Sequence, residues 1–214
     1  MYFFFKRLLD VTASLVILFL SLPLLLGIFL AIKFFSDKGS VLYRGTRATT
    51  KGGSFHLLKF RTMVVDAEKI GGPSTAINDP RLTSIGRFLR KYKLDELPQL
   101  YNVLKGEMSL VGPRPQVLSY TQEYEGEDLV ILSVLPGITD LSSLYFLDMD
   151  SELGETNVDE VYKNRIEPLK NKLRVQYVKK MSFSLDLRIL IETFFNLFGL
   201  KNLTKLKIDP HEPS

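Results

Sequence analysis

From residue 11 to residue 32 the chain is apolar and carries no charge, a run of 22 positions. As a helix rising ~1.5 Å per residue it would reach ~33 Å, about the thickness of a bilayer's hydrocarbon core. The ten residues before it, MYFFFKRLLD, supply aromatic rings suited to a membrane interface and a basic flank, Lys6-Arg7. A cleaved signal peptide competes with this reading, but the run is longer than the usual ~7 to 15 residues and no small-x-small site follows it. Pro23 falls near the middle and predicts a kink, because a mid-helix proline frees a carbonyl and crowds the preceding turn. Ser21 offers a hydroxyl that could meet such a freed group inside the membrane. From the pattern alone, an ordinary kinked spanning helix fits equally well.

Beyond residue 41 the period shortens. Val41-Leu42-Tyr43 and Phe55 to Phe60 are β-like runs joined through Gly52-Gly53, which predicts a β-hairpin. A short helix is expected over 66–70, then a loop marked by Gly71-Gly72-Pro73 and Asp79-Pro80. A helix over 84–93 gathers Ile85, Phe88, Leu89 and Tyr92 on one face, with Arg87, Arg90, Lys91 and Lys93 around the rest. Leu97, Leu100, Tyr101 and Leu104 recur at i, i+3, i+4 and i+7, predicting a helix over 96–104 that Lys105-Gly106 ends. Pro98 is tolerated in its first turn, and Asp95 falls at or beside the N-cap. Later helices are expected over 120–135, over 162–180 with a break near Pro168, and over 185–200, the last apolar enough to lie in a membrane interface. Residues 148–160 read as an acidic loop and residues 203–214 as a disordered tail.

Composition narrows the chemistry. With 214 residues, one domain and an accessory segment are expected. The absence of cysteine excludes a disulfide framework and cysteine-based zinc modules, and His56 and His211 are the sole imidazoles. A magnesium ion held by carboxylate and phosphate oxygens stays open. The net charge of +4 is unevenly spread: residues 33–115 hold 15 Lys and Arg against 7 Asp and Glu, residues 116–214 hold 11 against 16. No nucleic-acid signature accompanies the basic block, so an anionic bilayer surface and a phosphorylated substrate account for it more simply.

Three features inside that block bear on chemistry. Asp95-Glu96 is, taken by itself, a capping carboxylate and a first-turn acid. Lys59 and Arg61, two apart, project from one face of a strand as either a solvated edge or an anion cradle. Gly112-Pro113-Arg114-Pro115 fixes two φ angles and steadies the arginine between them, whose planar fork matches phosphate oxygens.

The stretch LDELPQLYNVLKGEMSLVGPRP resembles the central signature of the bacterial sugar transferases that form the monotopic phosphoglycosyl transferase family. The similarity extends through Lys59-Phe60-Arg61-Thr62-Met63, Asn78-Asp79-Pro80-Arg81, Gly86 to Lys91 and Pro136-Gly137-Ile138-Thr139, and so covers nearly the whole chain. It implies an α+β fold: a re-entrant membrane helix over 1–36, turned at Ser21 and Pro23, and a compact, mostly helical cytoplasmic catalytic domain over 37–202 with a small β-hairpin and interfacial amphipathic helices. It implies transfer of a sugar 1-phosphate from a UDP-sugar to polyprenyl phosphate at the bacterial inner membrane, with release of UMP. Asp95 and Glu96 would be the catalytic dyad, Asp95 the nucleophile and a ligand of Mg2+, with Lys59, Arg61, Arg87, Arg90 and Arg114 holding phosphate. Glu96 would support the metal, orient Asp95 or handle a proton; a homodimer is left open. One departure stands out: many members continue Pro-Gly-Ile-Thr-Gly with Leu-Ala-Gln, where this chain has Asp140 and then Leu141-Ser142-Ser143. That departure keeps a nucleotide-sugar-binding or scaffold homologue without turnover as an alternative, and a basic protein that merely docks on anionic lipid as another.

Overall fold

The structure, a computed structural model, describes residues 1–71, 79–146, 158–200 and 206–210. The apolar N-terminus forms one helix, α1 (Tyr2–Phe35), which continues through Pro23. The Ser21 hydroxyl donates to the Leu18 carbonyl at 3.3 Å, in the turn the proline leaves short of a donor. Its middle is open: Leu15, Phe19, Leu20, Leu22 and Leu26 are all at least half exposed. A water-soluble fold does not leave such a stripe uncovered.

Both ends of α1 are tied to the folded domain. Near the start, Lys6 donates to the Val111 carbonyl and to Asp186, each at 2.8 Å, and Arg7 donates to the carbonyls of Val103 and Leu104. Asp10 accepts the Leu110 amide at 2.9 Å. Near the finish, Ile28 and Ile32 pack with Val41, Phe60 and Leu89.

The hairpin is present: β1 (Leu42–Ala48) pairs antiparallel with β2 (Ser54–Phe60), Leu42 opposite Phe60 and Ala48 opposite Ser54. Gly52, at φ 74°, serves the turn between them. Helix α2 (Ser84–Lys91) follows, capped by the Thr83 hydroxyl. Its apolar residues divide, with Leu89 buried but Phe88 and Tyr92 exposed and ring against ring. The region expected as a helix over 66–70 is a single 3-10 turn, Ala67–Lys69. Asn78 and the Gly72-Pro73 pair lie outside the described residues, as does most of the acidic stretch over 148–160.

The helix expected from residue 96 is in two pieces. A 3-10 turn, Leu94–Glu96, precedes α3 (Gln99–Lys105), with Pro98 as the cap. Its buried face is Leu100 and Val103 with Gln99 and Asn102, while Tyr101 is half exposed. The apolar period misleads because Asn102 is buried for its hydrogen bonds. Its side chain accepts the Leu58 amide at 3.0 Å and donates to the His56 carbonyl at 2.8 Å, closing the free edge of β2.

Two short strands then pair in parallel, β3 (Ser109–Val111) with β4 (Gly137–Thr139). A Cβ on Gly137 would stand 2.1 Å from the Gly112 nitrogen, so this approach needs glycine. In place of the single helix expected over 120–135, α4 (Leu118–Thr121) is short and Gly126–Ser133 is 3-10. Helix α5 (Leu141–Tyr145) follows β4. Helix α6 (Glu167–Lys180), entered through a π turn at Tyr162–Ile166, carries Pro168 in its first turn as the sequence break implies. Helix α7 (Phe183–Asn196) buries Asp186, Ile189 and Glu192 and exposes Phe183, Leu187 and Phe194. The main core joins Phe55, Leu57, Leu100, Val103, Met108, Leu110, Leu173, Tyr177 and Ile189. Of the tail expected over 203–214, residues 203–205 and 211–214 lie outside the described residues; within 206–210, Leu206 and Ile208 rest on that core and the Asp209 carbonyl accepts from Gln176 at 2.9 Å.

Candidate active site

Three elements meet at Glu96. The 3-10 turn presents its carboxylate beside Lys59, whose Nζ lies 2.9 Å from Glu96 Oε1 near the end of β2, and the same oxygen accepts from Arg114 Nη2. Docking of α3 on the β2 edge sets the first contact, and the loop after β3 sets the second. Burial alone would raise the Glu96 carboxyl, but the Arg114 guanidinium and the Lys59 ammonium outweigh it and hold the group far below the ordinary carboxylate range. Burial lowers Lys59, with Glu96 opposing, while Glu96 raises Arg114. Glu96 is therefore the common anion of two cations.

Asp95, the residue before it, is in the opposite condition. It is 5% exposed, and its Oδ1 has no hydrogen-bond partner among the described residues. Burial raises its carboxyl, a trend the Lys59 charge reduces but does not cancel. Two adjacent carboxylates thus have their proton affinities driven apart, a pattern associated with division of labour in catalytic pairs. Lys93, at φ 56°, turns the chain two residues ahead of Asp95, a left-handed conformation uncommon for a lysine.

The parallel pair explains how Arg114 arrives. Arg114 lies three residues past the end of β3 and Asp140 directly follows β4, so both emerge from the carboxyl ends of paired strands. Arg114 Nη1 donates to the Ile138 carbonyl at 2.9 Å, and the Arg114 amide donates to Asp140 Oδ2 at 3.1 Å. Arg114 keeps 31% of its side chain exposed.

The remaining cations separate. Arg90 is held by the Thr62 hydroxyl at 3.0 Å, and its charge acts on both Asp95 and Asp79. It therefore stands between the dyad and the Asp79–Arg81 pair, itself a buried ion pair at 2.7 Å. Arg87 is on the exposed side of α2. Arg61 is engaged away from the dyad, donating to Asp37 Oδ1 at 2.8 Å and to the Asp37 carbonyl at 2.7 Å, where it ties down the exit from α1. Sequence reading missed that Asp140, visible there only as a departure after Thr139, accepts the Arg114 amide, and that Lys170 on α6 is buried. Burial lowers Lys170 to about 7, with Arg174 and Arg114 adding to the effect. Periodicity gives no signal for a lysine inside a helix that is buried on almost every side.

No cluster of three or more His, Cys, Asp and Glu groups able to hold a metal occurs among the described residues. Magnesium does not require one, since it is commonly bound through one or two carboxylates with substrate oxygens and water completing its shell. The buried carboxylate of Asp95 suits that mode, one of its two oxygens being enough for the metal.

The bacterial sugar transferase family matches residues 1–199, α1 and the folded domain alike. The UDP-glucose:undecaprenyl-phosphate glucose-1-phosphate transferase of Klebsiella pneumoniae is 39% identical over 197 residues, which cover 91% of this chain and 40% of that protein. The enzyme of the same name from Caulobacter vibrioides (strain ATCC 19089 / CIP 103742 / CB 15) is 37% identical over 203 residues, 92% of this chain and 71% of that protein. The exopolysaccharide production protein ExoY of Rhizobium meliloti (strain 1021) is 37% identical over 203 residues, 88% of this chain and 83% of that protein. The chain spans about 40% of the length of the Klebsiella protein and of several further curated relatives that it matches. With the signature residues assembled around one carboxylate pair and the family match running from the first residue to residue 199, this chain belongs to the bacterial sugar transferase family.

Proposed function

We propose that the chain transfers a sugar 1-phosphate from a UDP-sugar to polyprenyl phosphate, releasing UMP, as an opening step of surface glycan synthesis. The observation that carries this reading is the contrast within the dyad. Glu96 is committed to Lys59 and Arg114, whereas Asp95 holds a buried oxygen with no partner among the described residues. A carboxylate oxygen kept from water and from donors, next to cations, fits a nucleophile for phosphorus.

In the proposed sequence, Asp95 Oδ1 attacks the sugar-side phosphorus, and the bond from that phosphorus to the oxygen of UMP breaks, with the electron pair leaving on UMP. The resulting aspartyl phosphosugar is then attacked at the same phosphorus by an oxygen of polyprenyl phosphate, which forms the polyprenyl diphosphate sugar and restores the carboxylate. Arg114 and Lys59 hold phosphate oxygens and offset the charge of two anions brought together. Arg90 adds positive potential beside Asp95. Magnesium, held by Asp95 and substrate oxygens, would supply further neutralisation of the diphosphate. No proton need move in either step, which agrees with a Glu96 that stays ionised.

The acceptor's lipid tail places the reaction at a bilayer, and α1 is long and apolar enough to reach across one. Re-entry into a single leaflet is the topology we favour, because one folded domain grips α1 at both ends: Lys6, Arg7 and Asp10 at the start, Ile28 and Ile32 at the finish. A helix crossing the membrane would carry those ends to opposite faces. The basic flanks, Lys6-Arg7 before and Lys33 and Lys38 after, also favour the cytoplasm for both ends. With single cysteines at Tyr2 and Ser40 in this cysteine-free chain, an impermeant maleimide should label both from the cytoplasmic face of oriented vesicles and neither from the other. Labelling of Tyr2→Cys from outside, with Ser40→Cys cytoplasmic, would establish a spanning helix.

The direct test of function is incubation of the detergent-solubilised protein with polyprenyl phosphate and a panel of UDP-sugars. UMP should form with at least one donor and depend on the lipid for repeated turnover; binding of donor without UMP would favour the scaffold alternative. Asp140, the residue that motivates that alternative, here accepts the Arg114 amide.

A further inference from the structure

The two oxygens of Asp140 accept from different backbone amides. Oδ1 accepts the Ser143 amide at 2.7 Å, the bond of an ordinary N-cap for α5. Oδ2 accepts the amide of Arg114 at 3.1 Å, a residue 26 positions away that no cap requires. The Ser142 hydroxyl donates to both oxygens at 2.9 Å and fixes the plane of the carboxylate. Asp140 is fully buried, and its charge acts on three cations, Arg114, Lys170 and Arg174. A buried carboxylate is costly unless its oxygens are hydrogen-bonded, and those of Asp140 accept from the Arg114 amide, the Ser143 amide and the Ser142 hydroxyl. Pro113 and Pro115 have no amide, which makes the Arg114 N–H the only backbone donor between Gly112 and Gln116.

We propose that Asp140 is a positioning residue for the reaction, a clasp from the end of β4 that fixes the backbone of Arg114 so that its guanidinium reaches both Glu96 and the substrate phosphate. This rests on the phosphate-holding role given to Arg114 above. The clasp substitutes for flexibility that a glycine at position 140 would leave, and it couples the phosphate loop to the buried cations of α6. A carboxylate does this where an amide cannot: asparagine retains an oxygen for the Ser143 amide but turns its NH2 towards the Arg114 N–H, donor against donor.

Asp140→Asn tests the clasp by two readouts. The first is hydrogen exchange across residues 112–116, which contain just three amides, of Gly112, Arg114 and Gln116. The Arg114 amide should exchange about tenfold faster in the variant, while Gly112, bonded to the Thr139 carbonyl at 3.0 Å, keeps its protection. The second is a double-mutant cycle on turnover. Asp140→Asn should lower kcat/KM about 10- to 100-fold in the wild-type background and less than about twofold in Arg114→Ala. Unchanged exchange at Arg114, or equal fold losses in both backgrounds, would overturn the proposal. If Asp140→Asn does not yield folded protein, Ser142→Ala, which loosens the carboxylate without removing it, should speed Arg114 exchange about threefold, and no change there is equally decisive against the clasp. A wild-type chain that releases no UMP would count against the proposed function, and the exchange result would still decide whether Asp140 fixes Arg114.

Discussion

Asp95→Asn is expected to reduce turnover by about 10⁴-fold or more while leaving the protein at least as stable as wild type. The amide matches the carboxylate in size but carries no charge with which to attack phosphorus. Stability should hold because Asp95 is buried, its Oδ1 is unpartnered among the described residues, and burial raises its carboxyl. An acid whose folded pKa lies above its unfolded value costs stability wherever it is ionised, that is, at pH above both values. Removing the charge therefore relieves a cost at neutral pH, and the melting temperature in detergent should not fall. The same raised pKa predicts that the wild-type kcat/KM profile rises with pH through a point above the usual carboxylate range, as the nucleophile deprotonates.

Glu96→Gln should cut turnover about 10²- to 10³-fold and, in contrast to the first variant, destabilise the fold. Glu96 neutralises Lys59 and Arg114, and the amide would leave both cations without their common anion. Breaking a fully buried ion pair costs about 3–5 kcal/mol, and partial access of Lys59 and Arg114 to water reduces that to about 2 kcal/mol here. Without Glu96 to aim them, the cations should also bind donor less selectively for the reactive pose, so kcat should fall more than KM rises. Opposite stability effects from two neighbouring carboxylates, measured by thermal unfolding beside the rates, distinguish an anchor from a nucleophile. Equal destabilisation by the two variants would contradict that division.

Much of this site is legible in the sequence because it is written in short, local motifs. Asp95-Glu96, Lys59 and the Gly112 to Pro115 loop each have composition that constrains the backbone or supplies charge, and the structure brings Lys59, Glu96 and Arg114 into contact. The hairpin is legible from its change of period. What fails does so for identifiable reasons. The period of Leu97, Leu100, Tyr101 and Leu104 finds the core contacts of Leu97 and Leu100 but wrongly includes the exposed Tyr101, and a periodicity count assigns Asn102 to solvent and does not foresee that its amide closes a strand edge. Arg61 shares a face with Lys59 by spacing, yet the chain leaving α1 brings Asp37 to it first. The helix expected over 120–135 is mostly 3-10, because its apolar residues serve a small cluster of Tyr124, Ile131 and Val175 rather than one continuous face. Pairing of β3 with β4, which joins Arg114 to Asp140, is a contact between three-residue strands that no local pattern marks.

The central claim is that the Asp95 carboxylate becomes bonded to the sugar phosphate before any lipid takes part. Intact-protein mass spectrometry after incubation with a UDP-sugar alone, using the donor that releases UMP in the panel, tests it most directly. Wild-type protein should gain the mass of one sugar phosphate, lose it when polyprenyl phosphate is added, and show no gain as Asp95→Asn. UMP release that occurs only with lipid present and leaves no adduct, or an adduct that persists in Asp95→Asn, would contradict the account.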